Sequence, residues 1–186
     1  MGYQQALEKA WDAFSGLPHK GESASVMLLS DTYTINFKTN TILSDSCNVP
    51  AKEHVSIILL HYLANKLGPK ALPPLTGEWI DFNEIEGGEG YYPAFKKRTI
   101  DRVVKKYGSN PDAIKTALAR MPSEMTDKGD VGIIIHPLEE TAILITLSKA
   151  DEEFGPDANI LFDKNISKIF CTEDVVVLTE MVVHLL

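Results

Sequence analysis

Residues 129–148 read G-D-V-G-I-I-I-H-P-L-E-E-T-A-I-L-I-T-L-S. Two short apolar runs flank a polar break, and their valine and isoleucines suit a pleated, buried surface better than a helix. They are read as two strands joined by a short loop, uninterrupted enough to lie inside a sheet. That reading decides the fold, because the segments before them change to a helical period.

Upstream, Ile100, Val103, Val104 and Tyr107 form the apolar stripe of a helix expected to start near Pro93 and to end at Gly108. Asn110-Pro111 opens a shorter helix running to about Met121. Further back, N-V-P-A-K-E-H-V-S-I-I-L-L-H-Y-L-A-N-K-L-G-P (48–69) predicts a helix with Pro50 at its first position. Val55, Ile58, Leu59, Tyr62 and Leu63 are its buried stripe, and Gly68-Pro69 is its stop. Tyr3, Ala6, Leu7, Ala10, Trp11 and Phe14 predict a first helix over 3–15, followed by a loop that includes His19. S-V-M-L-L, T-Y-T-I-N-F and T-I-L are short strands, with Lys38-Thr39-Asn40 as a hairpin turn. Downstream, residues 150–170 mix loops with short apolar pieces. The tail from Thr172 reads as a capped helix with acids in its first turn, although its valines favour a strand. Segregation of this kind predicts an α+β fold, with a mainly antiparallel sheet and helices gathered in the N-terminal and middle parts.

A chain of 186 residues with 44 % hydrophobic content builds one sizeable core, so a single domain over 1–186 is expected. Its net charge of −8 opposes both a general nucleic-acid surface and attachment to an anionic membrane. The apolar runs are far below the roughly 20 residues of a transmembrane helix, and the N-terminus lacks the apolar core of a signal peptide. Cys47 and Cys171 have no paired spacing, so no iron–sulfur cluster and no structural zinc is expected in this chain. Reduced thiols in the cytoplasm follow. Cys47, just ahead of the Pro50 helix, reads either as a thiol activated by that helix's N-terminus or, more plainly, as a buried, inert cysteine, which is also the reading of Cys171.

The densest stretch is L-T-G-E-W-I-D-F-N-E-I-E-G-G-E-G-Y-Y-P-A-F, residues 75–95. If residues 79–82 are extended, Trp79 and Asp81 share one face, while Glu78, Ile80 and Phe82 share the other. Trp79 would then wall a pocket, or else anchor a loop whose acids are solvated. Gly87-Gly88-Glu89-Gly90 is free to take positive φ and close over a ligand, with Tyr91 and Tyr92 supplying rings and hydroxyls. No phosphate-cradle motif is present. The local excess of positive charge is Lys96, Lys97, Arg98, Arg102, Lys105 and Lys106, which reads either as a dock for anionic groups or as a solvated helix face.

His54 and His61 are seven residues apart, about 10 Å along a helix, too far to share a metal unaided. His61 is the candidate axial ligand for a cobalt or iron macrocycle. Asp151, Glu152 and Glu153 follow a strand, where paired acids bind magnesium or perform acid–base work; capping and salt bridging are the plainer roles. Asp163 is a further acid nearby. No nucleophile elbow or triad accompanies them.

L-L-H-Y-L, L-T-G-E-W-I-D-F, G-G-E-G-Y-Y-P-A-F-K-K-R, D-E-E-F-G-P-D-A-N-I-L-F-D and T-E-D-V-V-V-L occur in this order from Leu59 to Leu186. In these landmarks the chain resembles an uncharacterised prokaryotic family, domain of unknown function 3786. The resemblance implies an anaerobic bacterial or archaeal setting and an association with corrinoid or one-carbon metabolism. Some members resemble fusions to a cysteine-rich iron–sulfur segment, which this chain lacks. Three readings stand. The first is an accessory protein that binds a small ligand or cofactor, with a corrinoid foremost, through Glu78, Trp79, Asp81, Tyr91, Tyr92, Lys97, Arg98 and His61. The second is a metal-dependent acid–base enzyme using residues 151–153. The third is a protein–protein interaction module.

Overall fold

The computed structural model describes residues 2–17 and 21–186, so His19 lies outside the described residues. The chain divides into two units, Met1–Pro73 and Pro74–Leu186. Both are mixtures of helices with antiparallel sheet, as the segregated sequence pattern requires.

In the first unit, α1 (Tyr3–Ser15) turns Ala10, Trp11 and Phe14 inward and packs on α2 (Glu53–Lys66). β1 (Ser23–Leu28), β2 (Asp31–Asn36), β3 (Thr41–Ser44) and β4 (Val49–Pro50) pair antiparallel in chain order. Val26, Leu28, Ile42 and Ser44 occupy the buried face at alternate positions, as a half-covered sheet demands. The turn between β2 and β3 dispenses with glycine. The Asn36 side-chain oxygen accepts from the Lys38 and Thr39 N–H groups (both 3.0 Å), and Asn40 takes the left-handed conformation at φ 51°. Asparagine tolerates that region far better than other side chains do.

One expectation is corrected here. Pro50 does not open α2; it ends β4 opposite Leu43, and α2 starts at Glu53. A proline without an N–H is admissible on a sheet's edge strand, which is where β4 lies. The predicted stripe of α2 is buried throughout, and Ser56, Ile57 and Leu60 are buried with it.

The second unit is built on a five-stranded antiparallel sheet. Its order is β5 (Trp79–Asp81), β9 (Asp157–Asp163), β8 (Ile143–Ser148), β7 (Val131–Ile135) and β6 (Ser123–Thr126). β7 and β8 are internal, as their unbroken apolar runs predict. β6 carries only polar residues and Met125, which conceals it from a hydrophobicity reading. β9 is a full strand of 7 residues in a region read as loops and short pieces. A 3₁₀ turn (Phe82–Glu84), α3 (Gly88–Arg98), α4 (Ile100–Tyr107), a 3₁₀ segment (Pro111–Ala119), α5 (Ile166–Ile169) and α6 (Thr172–Leu185) complete the unit. The tail is a helix, as read, with Cys171 rather than Thr172 at the N-cap.

The helix expected from Pro93 to Tyr107 is two helices. α3 starts earlier, at Gly88, and the chain breaks at Thr99 (φ −126°, ψ −75°), whose buried hydroxyl donates to the Phe95 carbonyl at 2.7 Å. Gly87 (φ 75°) makes the turn into α3, and Gly88 lies so close to Phe82 that an added Cβ would sit 2.0 Å from its carbonyl oxygen. These glycines form a tight junction where the sequence suggested a flexible flap. Behind it, the fully buried Phe82 and Phe95 rings stack at 4.1 Å, and Phe162 of β9 approaches both (6.3 and 6.1 Å).

Asp163, at the end of β9, fastens the incoming segment. Its carboxylate is 1 % exposed and accepts from the Thr76 N–H (2.9 Å), Gly77 N–H (2.8 Å), Thr76 hydroxyl (3.0 Å) and Asn165 N–H (3.1 Å). A buried carboxylate is tolerable only when satisfied in this way. Asn165 adds bonds from its amide nitrogen to the Pro74 and Glu140 carbonyls (3.2 and 3.0 Å).

Two stability predictions arise. Asp163→Asn presents an NH₂ group to backbone donors, and urea denaturation is expected to show a loss of about 2–3 kcal/mol; a loss below about 0.5 kcal/mol would refute the clasp. Gly88→Ala and Gly90→Ala are expected to act with opposite sign. The first loses about 2–3 kcal/mol by overpacking. The second, with nothing within 4 Å of its added Cβ, gains roughly 0.5–1 kcal/mol of helix stability. Equal effects at the two positions would contradict the packing described.

Candidate functional site

Two sequence-distant segments of the second unit meet around an open cavity of about 840 Å³. One wall is Glu84–Gly87 with Tyr91 of α3; the other is Ser167 with Phe170–Glu173, which leads into α6. The Thr172 hydroxyl donates to the Glu86 carbonyl and ties the walls together at one side.

Local hydrogen bonding explains how the first wall is held. Asp81 and Glu84 form a capping box around the 3₁₀ turn. The Asp81 carboxylate accepts from the Asn83 N–H (2.9 Å), and Glu84 accepts from the Asp81 N–H (2.8 Å). Asp81 is therefore a positioning residue, set back from the cavity lining. Tyr91 is 46 % exposed and lines the cavity. Tyr92 is half-buried and faces Phe95 at a centroid distance of 6.4 Å.

The remaining sequence candidates are dispersed. Glu78 is exposed and pairs with Lys164 at 2.8 Å, which raises the Lys164 pKa. Trp79 is half-buried in β5, opposite Asp163. Arg98 is engaged by Glu180, with Nη2 at 3.0 Å from Oε2, and Lys97 is exposed. His61 lies half-buried in α2 of the first unit. Asp151, Glu152 and Glu153 are exposed in the loop after β8. There the Asp151 carboxylate accepts from the Phe154 and Glu153 N–H groups (2.7 and 2.8 Å), which hold its pKa below the usual carboxylate value. Among the described residues, no three His, Cys, Asp or Glu side chains gather where they would hold a metal ion. No helix among them is long and apolar enough to cross a membrane.

Both cysteines are free and exposed, where buried, inert thiols were the plainer expectation. Cys47 sits in the turn between β3 and β4, ahead of α2's true start, so the helix N-terminus invoked for its thiol is not there. Cys171 does cap a helix, yet its thiol is pushed up rather than down. Although the residue as a whole is exposed, partial desolvation of the thiol by its surroundings is the largest cause, and the Asp174 carboxylate, which accepts from the thiol at 3.2 Å, adds to it. The second wall as a whole escaped the sequence reading. Phe170, Thr172 and Glu173 form no chemical motif by themselves; the T-E-D-V-V-V-L landmark flagged Thr172 and Glu173, and nothing flagged Phe170.

With the geometry described, comparison places the chain in a family. It belongs to DUF3786, a domain of unknown function whose family model matches residues 9–185. The match extends toward the N-terminus well beyond the landmarks that begin at Leu59. No curated protein and no solved structure matches the chain.

The thiol chemistry is directly testable. Because the Cys171 pKa is raised, its thiolate fraction at neutral pH is below that of a free cysteine, and iodoacetamide should modify it slowly until the pH is well above the ordinary thiol value. Asp174→Asn removes the neighbouring negative charge and should move that alkylation profile to lower pH. An unchanged profile would show that Asp174 does not govern the thiol.

Proposed function

We propose that the protein is a ligand-binding accessory protein and that its ligand occupies the cavity between Glu84–Tyr91 and Phe170–Glu173. The observation that carries this reading is the joining of aromatic and acidic residues around one concavity. Tyr91 and Phe170 line it together with Glu84, Glu86 and Glu173. Its volume of about 840 Å³ falls in the range of small-molecule and cofactor sites.

Electrostatics narrows the ligand class. A helix N-terminus attracts anions, but α6 already carries Glu173 and Asp174 in its first turn. With Glu84 and Glu86 opposite, the cavity opposes phosphate and favours an organic molecule with a basic nitrogen. Aromatic walls suit such a cation through the negative face of the ring. The finer corrinoid reading draws its support from the family resemblance. Of the residues assigned to it, Tyr91 lines the cavity, while Arg98 is occupied by Glu180. A cytoplasmic role in anaerobic metabolism accords with two free thiols and the acidic surface.

The test compares intact mass under native and denaturing conditions, for protein made in anaerobically grown cells supplied with cobalamin. A stoichiometric excess that disappears on denaturation is expected, and its size separates a corrinoid from a smaller amine. The variant Tyr91→Ala/Glu173→Gln should lose at least about 90 % of that excess. An excess that this variant retains, or no excess in the wild type, would overturn the placement.

A further inference from the structure

α4 presents an unusual face for so acidic a chain. Ile100, Val103 and Tyr107 are buried, and the Tyr107 hydroxyl donates to the Leu186 carbonyl, so the helix is fixed on the core of its unit. On its opposite side Arg102, Lys105 and Lys106 are all exposed. Their spacing of three and four residues places the cations side by side along about 6 Å of helix axis. Acidic residues outnumber basic ones by 26 to 18, so intramolecular partners are plentiful. Lys38, Lys96, Arg98, Lys115 and Lys164 each pair with a carboxylate. Among the described residues, Arg102 and Lys105 make no ion pair, and Lys106 meets only the ring of Tyr107 (5.4 Å).

We infer that this face of α4 is a docking surface for an acidic segment of a partner protein. Carboxylates at helix spacing on the partner match three cations set at the same pitch, and the rigid mounting of α4 lowers the ordering cost of binding. A nucleic acid fits less well. A polyanion extending beyond these three residues meets the rest of a chain whose net charge is −8. The surface is separate from the cavity of the proposed function and stands without it.

The experiment titrates the full chain with a fluorescently labelled peptide carrying paired glutamates at helix spacing, at low and at physiological salt. An oligonucleotide of equal charge is titrated in parallel. Wild-type protein is expected to bind the peptide more tightly than the oligonucleotide, and to weaken as salt screens the contacts. Arg102→Glu/Lys105→Glu/Lys106→Glu should weaken peptide binding roughly tenfold or more. The neutral variant Arg102→Gln/Lys105→Gln/Lys106→Gln should be intermediate, with circular dichroism confirming the helix in both. The control Lys128→Glu should bind as wild type does. Failure of the wild type to bind the peptide, equal binding by the charge-reversed variant, or tighter binding of the oligonucleotide would each overturn the inference.

Discussion

Asp163 is the constraint on which the second unit depends. A carboxylate removed from water must be surrounded by donors, and a turn of exposed residues at 76–77 supplies them. The bonds bring β5 to the edge of the sheet, and β5 in turn delivers Phe82 to Phe95 and Phe162. Gly88 is then forced against the Phe82 backbone, and α3 begins there. The cavity wall of Glu84–Gly87 is thus the short arc between two packed anchors, and its shape follows from theirs.

Much of this was legible where hydrophobic period dominates. The internal strands β7 and β8 and the helices α1 and α2 announce themselves by apolar spacing, whereas the C-terminal helix is legible only from its threonine and first-turn acids, against valines that favour a strand. Pro50 misleads because proline suits both a helix start and a sheet edge, and local preference cannot choose between them. Gly87-Gly88 misleads for a related reason. Permissive backbone and absent side chain serve mobility in one setting and close approach in another, and only the position of the Phe82 carbonyl distinguishes them. β6 is silent because an edge strand needs no apolar side chains of its own.

The candidate site was legible in halves. Glu84, Glu86 and Tyr91 belong to a stretch whose composition drew attention, whereas Phe170, Thr172 and Glu173 read as the ordinary beginning of a helix. What joins them is tertiary, a hydroxyl of Thr172 reaching the Glu86 carbonyl across 86 positions of sequence. Asp81 and Asp151 show the converse. Their carboxylates look chemical in sequence and are occupied by neighbouring backbone N–H groups in the fold. A short acidic side chain competes well for local amides, and that use precedes any chemistry.

The Thr76–Asp163 clasp also imposes an order of events. Its partners are 87 residues apart, so the loop that they close carries a large entropic cost and forms after local structure. During synthesis the segment from Pro74 to Asp81 emerges long before β9 exists to receive it. Trp79 therefore remains without its strand partner until residues 157–163 have been made. The indole is a built-in reporter of completion, silent through the assembly of β6, β7 and β8 and altered only when the last strand of the sheet is in place.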